Sequence, residues 1–252
     1  IRINAQTPNI ILGRPTDTSI TASVLMDKSM EWYAEYGTSQ GIYAFTSKTV
    51  QSDAGIPFEL DLNGLQPNTR YYYRIQYKSN GSSFSVTPEY TFHTQRAKGS
   101  TFKFTIEADE HLYDKKGVRS LYQICLANQA AEKPDFMLSL GDTFGDDHNP
   151  FDITSKELQD LHLDYRPFLG ALCHSVPFYF CLGNHEGEMD YYLLKNPGAN
   201  LAVWGTLWRK FYYPNPYPNG FYTGDTVAEA YGMGLPENYY AWNWGDALFI
   251  VM

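Results

Sequence analysis

The chain has 252 residues and a formal charge of −9, and 43% of its residues are apolar. This length and composition are typical of a folded protein with one large domain or two ordinary ones. The negative charge argues against broad electrostatic binding to nucleic acid or anionic lipid, and no apolar run approaches the roughly 18 residues that a membrane span needs. The cysteines Cys125, Cys173 and Cys181 are too few for a disulfide framework. Their apolar neighbours predict three small, buried side chains.

Residues 7–96 are rich in short β-type segments. Alternating polar and apolar residues, or β-branched and aromatic composition, predict strands near residues 9–12, 19–24, 31–36, 70–77 and 90–94. Turn signals separate these segments, among them Asn63-Gly64, Pro67-Asn68 and Asn80-Gly81. The stretch Asn80-Gly81-Ser82 also fits a glycosylation acceptor, but Asn-Gly between two strands favours a hairpin turn. We therefore predict an all-β sandwich domain over residues 1–97.

Strand and helix patterns alternate after a short polar linker, which predicts parallel strands and an α/β domain over residues 98–252. Strands are expected at residues 102–106, 136–140 and 176–182, and the second of these is expected to be short and buried. The first helix is expected to bury Val118, Leu121 and Cys125 and to stop before Pro134.

The second predicted helix begins at a capping box formed by Thr154 and Glu157. Its apolar stripe contains Leu158, Leu161 and Tyr165.

Residues 200–244 are aromatic and rich in proline and glycine, and we interpret them as one long irregular region. Two interpretations of its rings remain open, a lid or binding loop and a satellite core. Residues 247–252 predict a buried strand. Because this strand has no turn or cap after it, we expect further sequence downstream.

Three polar motifs follow the three predicted strands of the α/β domain: Asp109-Glu110-His111, Gly141-Asp142 and Gly183-Asn184-His185-Glu186. Ligands of parallel sheets bind beyond the carboxyl ends of the strands, so we expect the motifs to converge. Two carboxylates, one amide oxygen and two imidazoles form a ligand set suited to transition metals. Each motif alone is as often structural as functional, so the prediction depends on their joint arrangement.

The three motifs resemble the first three signatures of the calcineurin-like metallophosphoesterases. That resemblance implies an αββα-type sandwich, here incomplete at its C-terminus. Residues 65–71 resemble the corner of fibronectin type III domains, with Tyr71 as the corner residue. A fibronectin-like domain ahead of such a core resembles the arrangement in purple acid phosphatases. Together these resemblances cover nearly the whole chain.

The resemblance to metallophosphoesterases implies a set of metal ligands. Asp109 and His111 would ligate a first metal ion, Asp142 would bridge two ions, and Asn184 would ligate the second. The implied cofactors are two metal ions, drawn from Fe, Zn and Mn. Such a pair clamps the attacking and leaving oxygens of an in-line displacement at phosphorus.

The same resemblance implies roles for two residues beside the metal ligands. His185 would stabilise the transition state or protonate the leaving oxygen. Glu186 would orient His185 as its hydrogen-bonding neighbour.

Two features depart from the purple acid phosphatases. Those proteins have a tyrosine ligand three residues after the bridging aspartate, where this chain has Gly145, and they lack the histidine that is here His111. Because the tyrosine ligand is missing, we do not expect the purple charge-transfer colour of those proteins. The family's later histidine ligands do not occur in residues 186–252, which again leads us to expect further sequence.

The remaining polar candidates receive structural interpretations. Asp146, Asp147 and His148 are interpreted as a solvated loop near the site. We expect structural roles for three further histidines, His93, His162 and His174.

The leading hypothesis is an enzyme, a phosphatase or phosphodiesterase, that hydrolyses a small-molecule phosphate ester with a metal-bound hydroxide at a two-metal site. The alternative is a non-catalytic binding or adhesion protein in which the β-sandwich is the working part. We expect no nucleic-acid partner, no membrane span and an extracellular or periplasmic location.

Overall fold

The computed structural model describes residues 8–113, 117–144, 153–187 and 198–252. The described N-terminal part is an antiparallel β-sandwich, which confirms the predicted fold class. One sheet contains β1 (Asn9–Gly13), β2 (Ser19–Leu25) and β6 (Phe58–Asn63), in the order β1-β2-β6. The other sheet has six strands, which are β3 (Met30–Gly37), β4 (Phe45–Thr46), β5 (Val50–Ser52), β7 (Arg70–Lys78), β8 (Ser85–Val86) and β9 (Tyr90–His93).

The sandwich core forms because alternate side chains of both sheets point inward. Trp32, Ile75 and Val24 are fully buried in this core. The backbone N–H of Gln66 donates to the Tyr71 hydroxyl oxygen at 2.8 Å, so Tyr71 makes the corner contact that the sequence predicts.

The second part is an α/β domain with a parallel sheet, as predicted. Its strands β10 (Phe104–Glu107), β11 (Phe136–Ser139) and β12 (Phe178–Phe180) pair in that order, and both pairings are parallel. Helix α1 (Arg119–Ala131) connects β10 to β11, and α2 (Ser155–Cys173) precedes β12. A 3₁₀ turn (Asn184–Glu186) and helix α3 (Leu201–Tyr212) follow β12.

A three-stranded antiparallel sheet stacks against the parallel one. It contains β13 (Thr223–Gly224), β14 (Tyr240–Trp244) and β15 (Ala247–Val251). Phe136 and Tyr179 of the parallel sheet pack against Trp242 of β14, which fixes the two sheets face to face. The opposite face of the parallel sheet is covered by α1 and α2. Among the described residues, every helix is too short or too polar to cross a bilayer.

Several local predictions are confirmed. Thr154 and Glu157 form the capping box at the start of α2, where each side chain pairs with the other residue's backbone N–H. The Asn80-Gly81 turn connects β7 to β8, and Ser82 N–H donates to the Ser79 carbonyl oxygen at 3.1 Å.

The predicted buried face of α1 is wrong. Val118 and Leu121 are 51% and 58% exposed, and Cys125 is also exposed. The residues that pack against the sheet are instead Tyr122 and Leu126. On this buried side of the helix, the Tyr122 hydroxyl also donates to the Glu107 carboxylate at 2.7 Å.

The interpretation of residues 200–244 as one irregular region is also wrong, because α3 lies within it. Asn200 caps this helix by accepting a hydrogen bond from the Val203 N–H at 3.2 Å. Tyr212, Tyr213 and Tyr222 are almost completely buried in the two cores of the α/β domain, which favours the satellite-core interpretation for these three rings.

The predicted strand near the end of the sequence forms, but it is only half buried. Phe249 and Val251 of β15 pack inward, whereas Leu248 and Ile250 are each 61% exposed.

The sequence predicts that all three cysteines are buried. Only Cys173 is fully buried, whereas Cys181 is partly exposed and Cys125 is exposed. Gly145 and the Asp146-Asp147-His148 cluster lie outside the described residues.

A buried arginine joins the two parts of the protein. Arg166 of α2 donates to Asn9 Oδ1 at 2.9 Å and to the Ser23 hydroxyl at 3.1 Å, both in the sandwich. It also donates to the carbonyl oxygen of Tyr212 in α3. Because every partner is neutral and the site is buried, burial lowers the pKa of Arg166 to about 10.

Candidate metal centre

The three polar motifs meet at one edge of the parallel sheet. Each follows the carboxyl end of a strand, and the register of β10, β11 and β12 brings these ends side by side. The Asp109 N–H donates to the Gly141 carbonyl oxygen at 3.1 Å, which ties the first motif to the second. The His185 N–H donates to Asp142 Oδ1 at 2.9 Å, which ties the third motif to the second.

Asp109, His111 and Asp142 form a group that could hold a metal ion. Each offers one ligand atom, and these atoms all lie within 4.8 Å of one another. His111 Nε2 lies 3.6 Å from Asp109 Oδ1 and 3.9 Å from Asp142 Oδ2. Metal–ligand bonds of about 2.0–2.2 Å set donor atoms about 3–4 Å apart, so the donors need only a small contraction. The donor chemistry and the spacing both fit a transition metal.

His185 lies near the same Asp142 carboxylate oxygen as His111. Its Nε2 is 3.9 Å from Asp142 Oδ2, the same distance as His111 Nε2. The two imidazole rings stand edge to face, with centroids 5.4 Å apart. Asp142 is therefore central to the group, and its side chain is only 11% exposed.

Glu186 holds the Asp142 loop in place. Its carboxylate accepts backbone N–H groups from Asp142 at 2.9 Å, Thr143 at 2.8 Å, Phe144 at 3.0 Å and Gly183 at 2.6 Å. Burial raises the pKa of Glu186, and these four donors oppose that rise. Glu186, which the resemblance expects to orient His185, thus fixes the backbone around Asp142.

Two glycines allow the second and third motifs to approach closely. A Cβ atom on Gly183 would lie 2.1 Å from Asp142 Oδ1, and one on Gly141 would lie 2.0 Å from Gly183 N. Gly141 also has a φ of +91°, a conformation that side-chain-bearing residues rarely adopt. Any larger residue at either position would push the Asp142 loop away from His185.

The three ligand-type residues themselves adopt left-handed backbone conformations. Asp109, His111 and Asp142 have φ values of +59°, +42° and +58°. Such conformations cost of the order of 1–2 kcal/mol for residues with a Cβ atom. Backbone strain of this kind clusters at functional sites, where the surrounding contacts maintain it.

Two further carboxyl groups lie beside the proposed ligands: Glu110, within the first motif, and Glu107, which precedes that motif. Burial, reinforced by the neighbouring Glu107 carboxylate, raises the pKa of Glu110 to about 8. Glu107 accepts hydrogen bonds from Tyr122 and from Gln129, each at 2.7 Å, and burial raises its pKa. The available signal for Glu107 was its place directly after the predicted strand 102–106, two residues before Asp109.

Asn184 opens the 3₁₀ turn after β12 and is exposed. Its two sequence neighbours, Gly183 and His185, both lie against Asp142. The structure therefore brings together Asp109, His111, Asp142 and His185, with Glu186 beneath them and Asn184 beside them.

Comparison with known families supports this site. The family model described as calcineurin-like phosphoesterase matches residues 102–248, which is more than half of the chain. The chain belongs to the calcineurin-like phosphoesterase family. The model described as the N-terminal domain of purple acid phosphatase matches residues 6–94 of this calcineurin-like phosphoesterase. Both resemblances predicted from the sequence are thereby confirmed, while the fibronectin type III assignment of the sandwich stays a prediction.

Two solved structures share the fold over 96% of this chain. A structure of PhoD is 19% identical with a TM-score of 0.64, and the match covers 51% of that protein. The purple acid phosphatase PPD1 from yellow lupin seeds is 16% identical with a TM-score of 0.63, and the match covers 44% of it. The chain thus spans about half the length of these two structures. No curated protein sequence matches this chain.

Proposed function

We propose that this protein hydrolyses phosphate esters with the help of metal ions held at the edge of the parallel sheet. The observation that carries the proposal is the convergence of Asp109, His111 and Asp142, whose ligand atoms lie within 4.8 Å of one another. Membership of the calcineurin-like phosphoesterase family supports the same reaction class. The substrate class is a small-molecule phosphate ester.

The metal centre has two ions in this proposal. Asp109 and His111 would hold the first ion, Asp142 would be shared by both ions, and Asn184 would contribute an amide oxygen to the second. When bound, the ions supply Lewis acidity, which neutralises phosphate charge and acidifies water. Iron, zinc and manganese all suit this mixed oxygen and nitrogen donor set.

The residues around the ligands prepare the site for proton transfer. His185 carries the proton that the departing ester oxygen needs, at Nε2, which faces the Asp142 carboxylate at 3.9 Å. The main-chain bond from His185 N–H to Asp142 Oδ1 holds this ring at the site. Glu186 supports both residues by fixing the backbone of the Asp142 loop.

We also propose a domain boundary between residues 97 and 98. The two family matches support it, since one ends at residue 94 and the other begins at residue 102. The extracellular or periplasmic location and the lack of a nucleic-acid partner stay predictions.

Hydrolysis assays test the proposed activity. The purified protein is stripped of metal, reloaded with manganese, zinc or iron, and assayed with p-nitrophenyl phosphate and its bis-ester. We expect activity only after reloading. Asp142→Asn lowers kcat by about a hundredfold or more because the bridging carboxylate loses its charge. Asp27→Asn, which changes an exposed aspartate in the β2–β3 turn, serves as the matched control and stays active.

Two outcomes contradict the proposal. Full activity of Asp142→Asn would remove Asp142 from the metal centre. No hydrolysis of either ester with any of the three metals would favour the alternative, a non-catalytic binding protein.

A further inference from the structure

A cavity lies at the junction of the two domains. Its volume is about 590 Å³, and residues of β7, β9, the α1–β11 connection and the end of α2 line it. Lys133 and Asp135 on its wall directly precede β11, whereas the metal motifs follow the opposite ends of the strands. The four residues of β11 separate the two sites by about 13 Å at 3.3 Å per residue. The cavity is therefore distinct from the proposed metal centre.

The sandwich presents a polar face to this cavity. Arg70 lies opposite His93 in the antiparallel pair of β7 and β9, and Tyr72 lies opposite Thr91. Because side chains alternate along a strand, these four residues share one face. The intervening Tyr71 points into the sandwich core instead. A polar, cavity-lining surface of this kind is available to a ligand.

Four polar groups on the cavity wall remain unused within the described parts of the chain. The guanidinium of Arg70, the ammonium of Lys133 and the hydroxyls of Tyr72 and Thr91 make no hydrogen bond or ion pair there. The carboxylate on the wall, Asp135, is already neutralised elsewhere.

Asp135 pairs with Arg96, whose Nη2 lies 2.7 Å from Asp135 Oδ1. Its other oxygen accepts the backbone N–H of Lys103 at 3.1 Å. The two cations Arg70 and Lys133 thus leave the cavity with an uncompensated positive charge in a protein of net charge −9.

Lys133 adopts a strained backbone conformation at this cavity. It follows the end of α1 with a φ of +50°, a position at which helices usually carry glycine. A lysine there has an alternative role, because cations near a helix C-terminus interact favourably with the last carbonyls. The variant Lys133→Gly distinguishes the two roles of this residue, because glycine suits the helix end but cannot bind a ligand through a side chain.

We propose that the junction cavity binds a phosphoryl dianion, either inorganic phosphate or the phosphoryl group of an organic monoester. Arg70 presents its planar donor fork from the sandwich, and Lys133 presents a point charge from the α/β domain. The hydroxyls of Tyr72 and Thr91 complete the donor set. Because the two cations come from different domains, the bound anion joins the sandwich to the α/β domain.

Calorimetric titration of metal-free protein tests this proposal. Inorganic phosphate and phenylphosphonate are the two probes, and chelator keeps the metal centre empty so that neither probe binds there. We expect Arg70→Ala and Lys133→Gly each to weaken binding about tenfold or more, since each removes a charge-assisted contact. Lys28→Ala, which removes an exposed cation beyond the far end of β7, leaves the affinity unchanged.

The melting temperature adds a second readout for Lys133→Gly. Glycine relieves the left-handed strain, so we expect the ligand-free variant to melt at a higher temperature than the original protein while binding the anion less tightly. Tighter binding of phenylphosphonate assigns the cavity to organic monoesters, and equal binding assigns it to inorganic phosphate. Unchanged affinity in both cavity variants, or no heat from either probe at millimolar concentration, overturns the proposal. Neither result bears on hydrolysis, because the metal centre takes no part.

Discussion

Glu186 supports the proposed metal centre without being one of its ligands. Its two carboxylate oxygens accept four backbone N–H groups, three from consecutive residues of the Asp142 loop. Asp142 in turn accepts the His185 N–H and faces the imidazoles of His111 and His185. The arrangement of Asp142, His111 and His185 thus depends on the buried carboxylate of Glu186, which has no direct part in the proposed hydrolysis.

Replacing Glu186 by glutamine tests this supporting role. The glutamine side chain keeps one acceptor oxygen, but its second oxygen is replaced by an NH2 donor. This donor faces backbone N–H groups and is repelled by them. We expect Glu186→Gln to weaken zinc binding about 10–100-fold, the range for residues that orient metal ligands. Zinc titration followed by calorimetry measures it. Glu229→Gln, at an exposed position, is the control, and equal zinc affinity in both variants would contradict the role.

His162 makes the stability of the protein depend on pH. Burial lowers the pKa of His162 to about 3, and its ring stacks on Phe144 with centroids 4.4 Å apart. Because the unfolded chain binds a proton near the ordinary pKa of about 6.5, stability is complete above that pH and falls as the pH is lowered.

The variant His162→Phe removes this titration. Between pH 7 and pH 5 we expect the original protein to lose about 2 kcal/mol more unfolding free energy than the variant does. Urea unfolding at the two pH values measures the difference. Identical losses in both proteins would show that His162 is not held neutral in the fold.

Among the elements, α1 shows what a periodic pattern leaves undecided. Its sequence contains apolar residues on two adjoining faces, so the period predicts a helix without choosing which face is buried. The choice depends on Glu107 of β10, which accepts the Tyr122 hydroxyl and so draws that side of the helix onto the sheet. The helix sequence alone therefore does not determine which face is buried; the neighbouring strand does.

A pair of leucine variants tests which face of α1 is buried. Leu126 is 2% exposed and packs in the core, whereas Leu121 is 58% exposed. Leu126→Ala is expected to cost about 2–5 kcal/mol of unfolding free energy. Leu121→Ala is expected to cost less than about 0.5 kcal/mol. Chemical denaturation compares the two, and a larger loss for Leu121→Ala would reverse the assigned orientation.

Helix α3 was missed for a different reason. Its sequence carries Trp204, Trp208 and Phe211, and aromatic residues are weak helix formers whose presence favours strand or loop. The Asn200 cap was the local signal, but it follows Asn196-Pro197-Gly198, a pattern typical of a turn or loop. Tertiary packing against α2 outweighs the local preference.

At the scale of the molecule, the β-sandwich, the α/β fold and the convergence of Asp109, His111 and Asp142 were predictable because motif spacing and strand ends are local properties. The junction was not predictable. Arg166 lies in an amphipathic helix, where an arginine is expected on the solvent side. In the structure it is buried and bonds to Asn9 and Ser23, more than 140 positions earlier in the chain. Such a contact exists only after the two domains pack together.

The proposed hydrolysis depends on Asp109, His111 and Asp142 acting together as metal ligands. Crystals of the protein grown with manganese or zinc, and measured at the absorption edge of that metal, give the most direct test. We expect a strong anomalous peak within bonding distance of all three side chains, with Asp142 contacting the ion through its carboxylate. Anomalous peaks found only elsewhere, or none in crystals soaked with both metals, would contradict it.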